Sequence, residues 1–155
     1  MKHFPIFLFV AGRRIVVSGG GDAAVAKLRL LMKTEANISV LAKDASPEIH
    51  HWASLGKLTL SSRAMDFGDT ICAALFYGAN EDATEDARTA AIAASEGALV
   101  NIVDNLADSQ FITPAIVDRD PVTIAIGTEG AAPVLARAIK ACLLYTSDAA
   151  DDPAS

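Results

Sequence analysis

The chain has 155 residues, of which 52% are hydrophobic and 21% are charged, a composition typical of a globular domain with a core of its own. Its net charge of −6 argues against nonspecific nucleic-acid binding, because such binding needs a cationic surface. No apolar run is long enough to span a membrane, and the first residues carry no signal-peptide cleavage pattern. We therefore expect a cytoplasmic protein with neither a nucleic-acid nor a membrane partner.

The cysteines and histidines of the chain are too scattered to form a metal site. Cys72 and Cys142 lie far apart in the sequence, which predicts neither a disulfide framework nor a metal knuckle. Cys72 falls in an apolar run and is expected to be a buried core thiol. The three histidines have no acidic or thiol partner at ligand spacing, so no resident metal is predicted.

The glycine-rich stretch near the N-terminus is the most informative part of the sequence. Residues 4–10 are apolar but include a proline, so they predict an edge strand or an extended arm. A β-branched strand then leads into a turn in which Gly19, Gly21 and Ala24 fit the pattern G-x-G-x-x-A, followed by a helix. In a dinucleotide fold these residues allow the tight turn, the close approach of the backbone to a pyrophosphate, and close helix packing.

The following segments alternate between strand and helix patterns. Ser46 and Pro47 have the residue types of a helix N-cap and first turn. Apolar periodicity predicts these elements in turn: strand 37–42, helix 47–55, strand 57–61, strand 71–77, helix 81–96 and strand 98–103. Strand–helix–strand order of this kind predicts an α/β fold with a Rossmann-like, doubly wound parallel sheet.

The pattern changes after residue 110. Segments 111–117 and 122–127 read as two antiparallel strands joined by a short loop, and a helix is predicted over residues 133–144. This β-hairpin and helix are too small to fold as a domain alone, so we expect them to form a dimerisation region. The predicted organisation is a dinucleotide-binding domain at 1–110, a dimerisation region at 111–144, and a disordered or non-native tail at 145–155.

Two acidic positions are candidates for a functional site. Asp44, with Lys43 beside it, follows the second strand at about the distance at which such folds bind the ribose hydroxyls, although a solvated loop acid fits equally well. Asp104 directly follows the buried strand 98–103, where a carboxylate could accept a proton; the alternative is an N-cap or turn aspartate. Acyl and phosphoryl transfer are unsupported, because the sequence has no nucleophile-elbow or P-loop motif.

Taken together, five motifs resemble the precorrin-2 dehydrogenase/sirohydrochlorin ferrochelatase module, which forms the N-terminal part of siroheme synthase. They stand in the family's order and cover about residues 1–143: 4–7, 19–24 with Lys27, 101–104, 111–115 and 133–137. The resemblance implies oxidation of precorrin-2 to sirohydrochlorin with NAD as cofactor, followed by insertion of ferrous iron as a substrate. It also implies a homodimer, and further helices after residue 143 in the family's longer chains.

The resemblance assigns roles to individual residues. The catalytic aspartate of both steps corresponds to Asp104, and the cofactor contacts correspond to the set Gly19, Gly21, Asp22, Ala23, Ala24, Lys43 and Asp44. The substrate is then a tetrapyrrole with many carboxylates, for which the candidate contacts are Asn101, Arg119, Thr128 and Arg137. Each of these arginines fits a solvated charge equally well.

The chain departs from the family pattern at two places. Ala26 stands where the family commonly has arginine, and the turn at 128–133 contains Glu129 and lacks the usual serine before Pro133. A noncatalytic NAD-binding sensor or regulatory module therefore remains the alternative function, since it needs the glycine turn and no carboxylate after the strand.

Overall fold

The computed structural model describes the backbone of residues 1–150 and the side chains of residues 1–145, in two compact units. The first unit is Ile6–Phe111, and the second combines Met1–Pro5 with the segment that begins at Ile112. The last five residues of the predicted tail, 151–155, lie outside the described residues.

The first unit is a five-stranded sheet with a helix after each of three strands. Its elements in chain order are β1 Arg14–Ser18, α1 Asp22–Leu31, β2 Asn37–Leu41, α2 Pro47–Ser54, β3 Thr59–Ser61, β4 Ala73–Gly78, α3 Ala83–Ser95 and β5 Leu99–Ile102. The strand order is β3-β2-β1-β4-β5, and every neighbouring pair is parallel. This topology confirms the predicted Rossmann-like fold class.

The strand order reverses between β1 and β4. From β1 the chain moves outward to β2 and β3 on one side, and it then crosses back to place β4 and β5 on the other. In open α/β sheets, ligands bind at the carboxyl ends of the strands beside such a switch point. The glycine turn follows β1, so the sequence motif and the topology indicate the same location.

Apolar side chains on both faces of the sheet form the core of this unit. Ile15 and Val17 of β1 face one hydrophobic cluster, which includes residues of α1 and α2, while Val16 faces the cluster under α3. Successive strand side chains point to opposite faces, so burial on both sides explains the continuous apolar runs of β1 and β4. The sheet is thus a rigid support for the loops at its edge.

The second unit contains an antiparallel hairpin and a helix. Strands β6 Ala115–Arg119 and β7 Val122–Ile126 pair directly, and α4 Pro133–Ala150 packs against them. This confirms the predicted hairpin, although β6 begins later than expected. Helix α4 continues beyond Leu144, where the sequence analysis ended it, so residues 145–150 are helical.

Two expectations about single segments were wrong or only half right. Residues 4–10 form an extended arm with no strand assignment, so the edge-strand alternative is excluded. Cys72 is exposed, so the expectation of a buried core thiol was wrong. It lies in the turn just before β4, which begins at Ala73, and its φ is 61°. The apolar run 71–77 extends past the strand, and sequence periodicity cannot locate such a boundary.

Candidate active site

The glycine turn lies in a space that admits no side chain. Gly19 has a φ of 128°, and a Cβ at this position would overlap the backbone carbonyl of Ala79. A Cβ on Gly20 would overlap the carbonyl of Asp44. The turn is therefore held between the loops that follow β4 and β2, and its glycines are required by packing as well as by backbone conformation.

The N-terminus of α1 faces the end of this turn. Gly21 is the N-cap and supplies no side-chain hydrogen bond, so the first amides of the helix are left for another acceptor. Ala24 is fully buried, which allows close packing of the helix on the sheet, as the motif predicts. Such a helix start offers N–H donors and a partial positive charge to an anion.

A cleft of about 420 Å³ opens over the turn. Besides Gly19–Gly21, its lining includes Lys43, Asp44 and Asn80. Lys43 and Asp44 are exposed, and Asp22 and Ala23 form the first turn of α1 next to the cleft. The structure thus brings all of the predicted cofactor residues to one region of the sheet edge. The glycine cradle, formed by the backbone of Gly19–Gly21 and the start of α1, fits a dinucleotide together with this polar cleft.

A hydrogen-bond network fixes the wall of the cleft that follows β4. The buried Asp86 of α3 accepts from the backbone N–H and the Nδ2 of Asn80, at 3.0 and 2.8 Å. Ser18, the last residue of β1, donates its hydroxyl to Asn80 Oδ1 at 3.0 Å. The sequence analysis missed Asp86, because an acid in an alanine-rich helix reads as a solvated side chain.

Asp104 lies exposed at the same edge of the sheet, two residues after β5. Its φ of 62° is in the left-handed region, which costs free energy in residues other than glycine and is frequent at functional sites. The Val103 N–H donates to the Gly78 carbonyl at 2.9 Å, which ties this loop to the end of β4. The carboxylate is therefore neither sealed in the core nor turned to the opposite edge.

Asn101, a predicted substrate contact, is buried inside β5. Its Nδ2 donates to the Phe111 carbonyl at 2.8 Å. The Phe111 ring in turn meets Tyr77 of β4 edge to face, with ring centroids 5.4 Å apart. Asn101 thus holds the segment that contains Phe111. Asn101 is buried, whereas Asp104 is exposed.

Lys27 of α1 is a cation within electrostatic reach of Asp104. This half-buried residue of α1 places its Nζ 5.0 Å from the centre of the Tyr77 ring. Burial lowers the pKa of Lys27 below its ordinary 10.5, and attraction to the Asp104 carboxylate offsets part of this lowering. The residues quoted for the family resemblance included Lys27, but only the structure links it to Asp104.

Replacing this lysine by methionine should stabilise the fold and slow any reaction that depends on Asp104. In the wild type, the unfolded chain binds more protons than the folded chain at pH values between the lowered pKa and 10.5, so stability rises with pH across that interval. We expect Lys27→Met to raise the Tm by a few degrees (roughly 2–6 °C) at neutral pH and to flatten this rise. Scanning calorimetry across the pH range measures both effects.

Lys33→Met is the matched control, because Lys33 lies exposed just beyond the end of α1. It removes the same charge without removing a burial cost, and its Tm should stay near that of the wild type. A lower Tm for Lys27→Met would contradict the assignment of Lys27 as a residue whose burial is costly.

A second, smaller cleft of about 190 Å³ lies beside the Asp104 loop. Its lining is rich in acids, with Glu81, Asp82, Asp86 and Asp108 among its residues. Within the described part of the chain, however, no three histidine, cysteine or acidic side chains come together in an arrangement that could hold a metal ion.

The remaining predicted substrate residues belong to the second unit. Arg119 and Arg137 are exposed, and Thr128 is half-buried in the turn before α4. In the same turn Glu129 accepts from the backbone N–H of Lys2 at 3.0 Å and contacts the His3 ring. The His3 hydrogen bonds lower the pKa of Glu129 to about 2, so the acid that departs from the family pattern anchors the N-terminal residues.

These features define a dinucleotide-binding domain of the Rossmann type, and the chain belongs to the NAD(P)-binding family whose model, NAD_binding_7, matches residues 6–115. Its similarity to individual proteins indicates a more specific class. It is 36% identical over 143 residues to a siroheme synthase of Nitrosococcus oceani and 40% identical over 147 residues to one of Chromobacterium violaceum. These alignments cover 92% of this chain, but only 31% and 30% of the respective siroheme synthases.

A solved structure, that of SirC, a precorrin-2 dehydrogenase, has a similar fold. The TM-score is 0.77 at 27% sequence identity, and the match covers 93% of this chain and 71% of the SirC chain. These comparisons confirm the family resemblance that the motifs indicated. They also confirm that the cofactor is a nicotinamide dinucleotide. Among the described helices, none combines the length and the apolar character needed to cross a bilayer.

Proposed function

We propose that this chain oxidises precorrin-2 to sirohydrochlorin with NAD as hydride acceptor, in siroheme biosynthesis. One observation carries the proposal: the exposed carboxylate of Asp104 and the glycine cradle lie at the same edge of one sheet. The similarity to siroheme synthases and to a precorrin-2 dehydrogenase supports this choice of substrate.

The residues that would hold NAD are those of the 420 Å³ cleft. The backbone at Gly19–Gly21 and the start of α1 would bind the diphosphate, while Asp44, with Lys43 beside it, would meet a ribose. Bound NAD supplies a two-electron acceptor for a hydride. Hydrogen bonds among Ser18, Asn80 and Asp86 fix the wall of this cleft that follows β4.

Asp104 would serve as the base. Oxidation of precorrin-2 removes two hydrogens, one as a hydride and one as a proton, and the proton needs an acceptor. The exposed carboxylate can receive it, and the Lys27 ammonium balances its negative charge beforehand. The Tyr77 ring lies beside the Lys27 ammonium, and the Phe111 ring, whose residue is held by Asn101, packs edge to face on Tyr77.

We propose further that Asp104 serves a ferrochelatase step. Ferrous iron enters sirohydrochlorin as a substrate and displaces the protons of the pyrrole nitrogens, so the same proton acceptor is useful twice. The substrate's carboxylates would pair with Arg119 and Arg137, with Thr128 as a hydroxyl donor, since arginine binds carboxylates in a bidentate fashion.

The experiment that tests the proposal is an anaerobic incubation of the purified chain with precorrin-2 and NAD. Absorbance spectra should show NADH and sirohydrochlorin appearing together, and siroheme after ferrous iron is added. Binding of NAD without any change in the tetrapyrrole spectrum would instead favour the noncatalytic sensor, which the glycine turn alone would support.

We also propose that the second unit mediates a homodimer. Val134, Leu135 and Ile139 of α4 are 69%, 54% and 38% exposed, a row of apolar side chains without cover from the described residues of the unit. In the first unit the arm residues Phe7 and Phe9 are each 75% exposed. A second copy of this chain is the occupant we expect. The compartment we propose is the cytoplasm.

Sedimentation at micromolar concentration should therefore show a dimer. Leu135→Asp should shift the wild-type dimer to monomer, because it places a charge in the buried interface. Ala26→Asp introduces the same charge on the exposed face of α1 and should leave the dimer intact. A monomeric wild-type protein would contradict the assignment.

A further inference from the structure

The carboxylate of Glu81 lies directly over Gly21, at the start of α1. A Cβ on Gly21 would overlap Glu81 Oε2, and the other atom within 4 Å of that position is the Glu81 Cδ, at 3.4 Å. At Gly19 and Gly20, by contrast, the clashing groups include backbone carbonyls. Gly21 thus faces a movable side chain, whereas the other two glycines face fixed backbone.

The space over Gly21 is also where a dinucleotide's diphosphate would approach. In the G-x-G-x-x-A pattern the second glycine lacks a side chain so that the pyrophosphate can come close to the backbone. The helix start behind it attracts anions through free N–H groups and the helix dipole. A protein carboxylate and the cofactor's diphosphate therefore compete for one cradle.

The backbone directs the Glu81 side chain to this place. Glu81 has a φ of 57°, a left-handed conformation that costs free energy in a residue with a side chain. Its neighbours are fixed on both sides: Asn80 is bonded to Asp86, and Asp82 caps α3 by accepting from Thr84 and Glu85. The backbone of Glu81 thus has an unfavourable conformation while its carboxylate lies at the start of α1.

We propose that Glu81 is a built-in competitor for the cofactor's diphosphate. Its carboxylate occupies the cradle in the nucleotide-free protein and leaves when the dinucleotide binds, which weakens the equilibrium affinity and slows the apparent association of the cofactor. This inference rests on the proposed NAD site. The apparent Kd rises by the reciprocal of the fraction of molecules whose cradle is open.

Two variants separate occupancy of the cradle from the general effect of a negative charge. Glu81→Gln removes the charge at constant size, and Glu81→Asp keeps the charge but shortens the reach by one methylene, in a residue that tolerates a left-handed backbone. Calorimetric titration with NAD and with ADP should show that both variants bind more tightly than the wild type. We expect about tenfold for Glu81→Gln and a smaller gain for Glu81→Asp.

Adenosine and a remote acid are the controls. Adenosine lacks the diphosphate, so its affinity should be equal in all of the proteins. Glu35→Gln removes the same charge at an exposed position just before β2, away from the carboxyl ends of the strands, and should leave the affinity for NAD unchanged. Stopped-flow mixing should show slower association of NADH with the wild type than with Glu81→Gln, and similar release rates for the two proteins.

Several outcomes would overturn the inference. Equal NAD affinity in the wild type and Glu81→Gln would show that the carboxylate does not compete, and wild-type affinity in Glu81→Asp would show that reach into the cradle is irrelevant. Failure of every protein, wild type included, to bind NAD or ADP would instead remove the proposed NAD site and the inference with it.

Discussion

Asp104→Asn should lower precorrin-2 oxidation by about two to four orders of magnitude, the range for loss of a general base. The amide has nearly the same size as the carboxylate and tolerates the left-handed backbone, with φ of 62°, so the loop should keep its shape. Affinity for NAD should remain at the wild-type value, because the glycine cradle is untouched. Initial rates of NADH formation and a calorimetric titration measure the two quantities.

A glycine at the same position gives a second, independent signature. Asp104→Gly should raise the free energy of unfolding by about 1 kcal/mol, because it relieves the left-handed conformation, while abolishing activity. The neighbouring Asp108→Asn is the control, since Asp108 is an exposed acid of the same loop and its hydrogen bonds to described residues are local, with Asn105. Full activity in Asp104→Asn would exclude Asp104 as the base.

Gly19→Ala should have the largest effect on the cofactor site. The new methyl group would overlap the Ala79 carbonyl, and the φ of 128° is unfavourable for alanine, so the turn between β1 and α1 must move. We expect a loss of at least about 2 kcal/mol in the free energy of unfolding and no measurable binding of NAD. Chemical denaturation and calorimetric titration test the two parts.

Gly12→Ala separates the overlap from the backbone conformation. Gly12 also has a positive φ, of 69°, but a Cβ there meets no atom within 4 Å. Its substitution should cost only the conformational part, about 1–2 kcal/mol, and should leave NAD binding intact. Equal losses in the two variants would mean that the close approach of Ala79 to the turn has no energetic consequence.

The sequence analysis predicted the fold well because the strong signals in this chain are local. The β-branched runs, the glycine turn and the Ser46 N-cap each describe neighbouring residues, and Ser46 does accept from the Ile49 N–H. Strand–helix alternation then constrains the topology, since parallel strands need crossover connections. The elements of the first unit followed from these signals with small errors at their ends.

The rest depends on contacts between residues that are distant in sequence. Nothing near Lys27 in the sequence indicates that its ammonium lies over the Tyr77 ring and is attracted by the Asp104 carboxylate. Likewise, nothing near Glu81 indicates its contact with Gly21. Glu129 looked like a departure from the family, yet it binds the N-terminal residues 2 and 3. Such pairings arise only when folding brings distant segments of the chain together, so local sequence patterns cannot predict them.

The most direct test of the proposed function is the stoichiometry of the wild-type reaction. The purified chain would be mixed anaerobically with NAD and a known amount of precorrin-2, and NADH and sirohydrochlorin would be measured together. If the carboxylate of Asp104 and the glycine cradle act in one oxidation, one NADH forms for each precorrin-2 consumed. Consumption of precorrin-2 without NADH, or bound NAD with precorrin-2 left unchanged, would contradict the proposal.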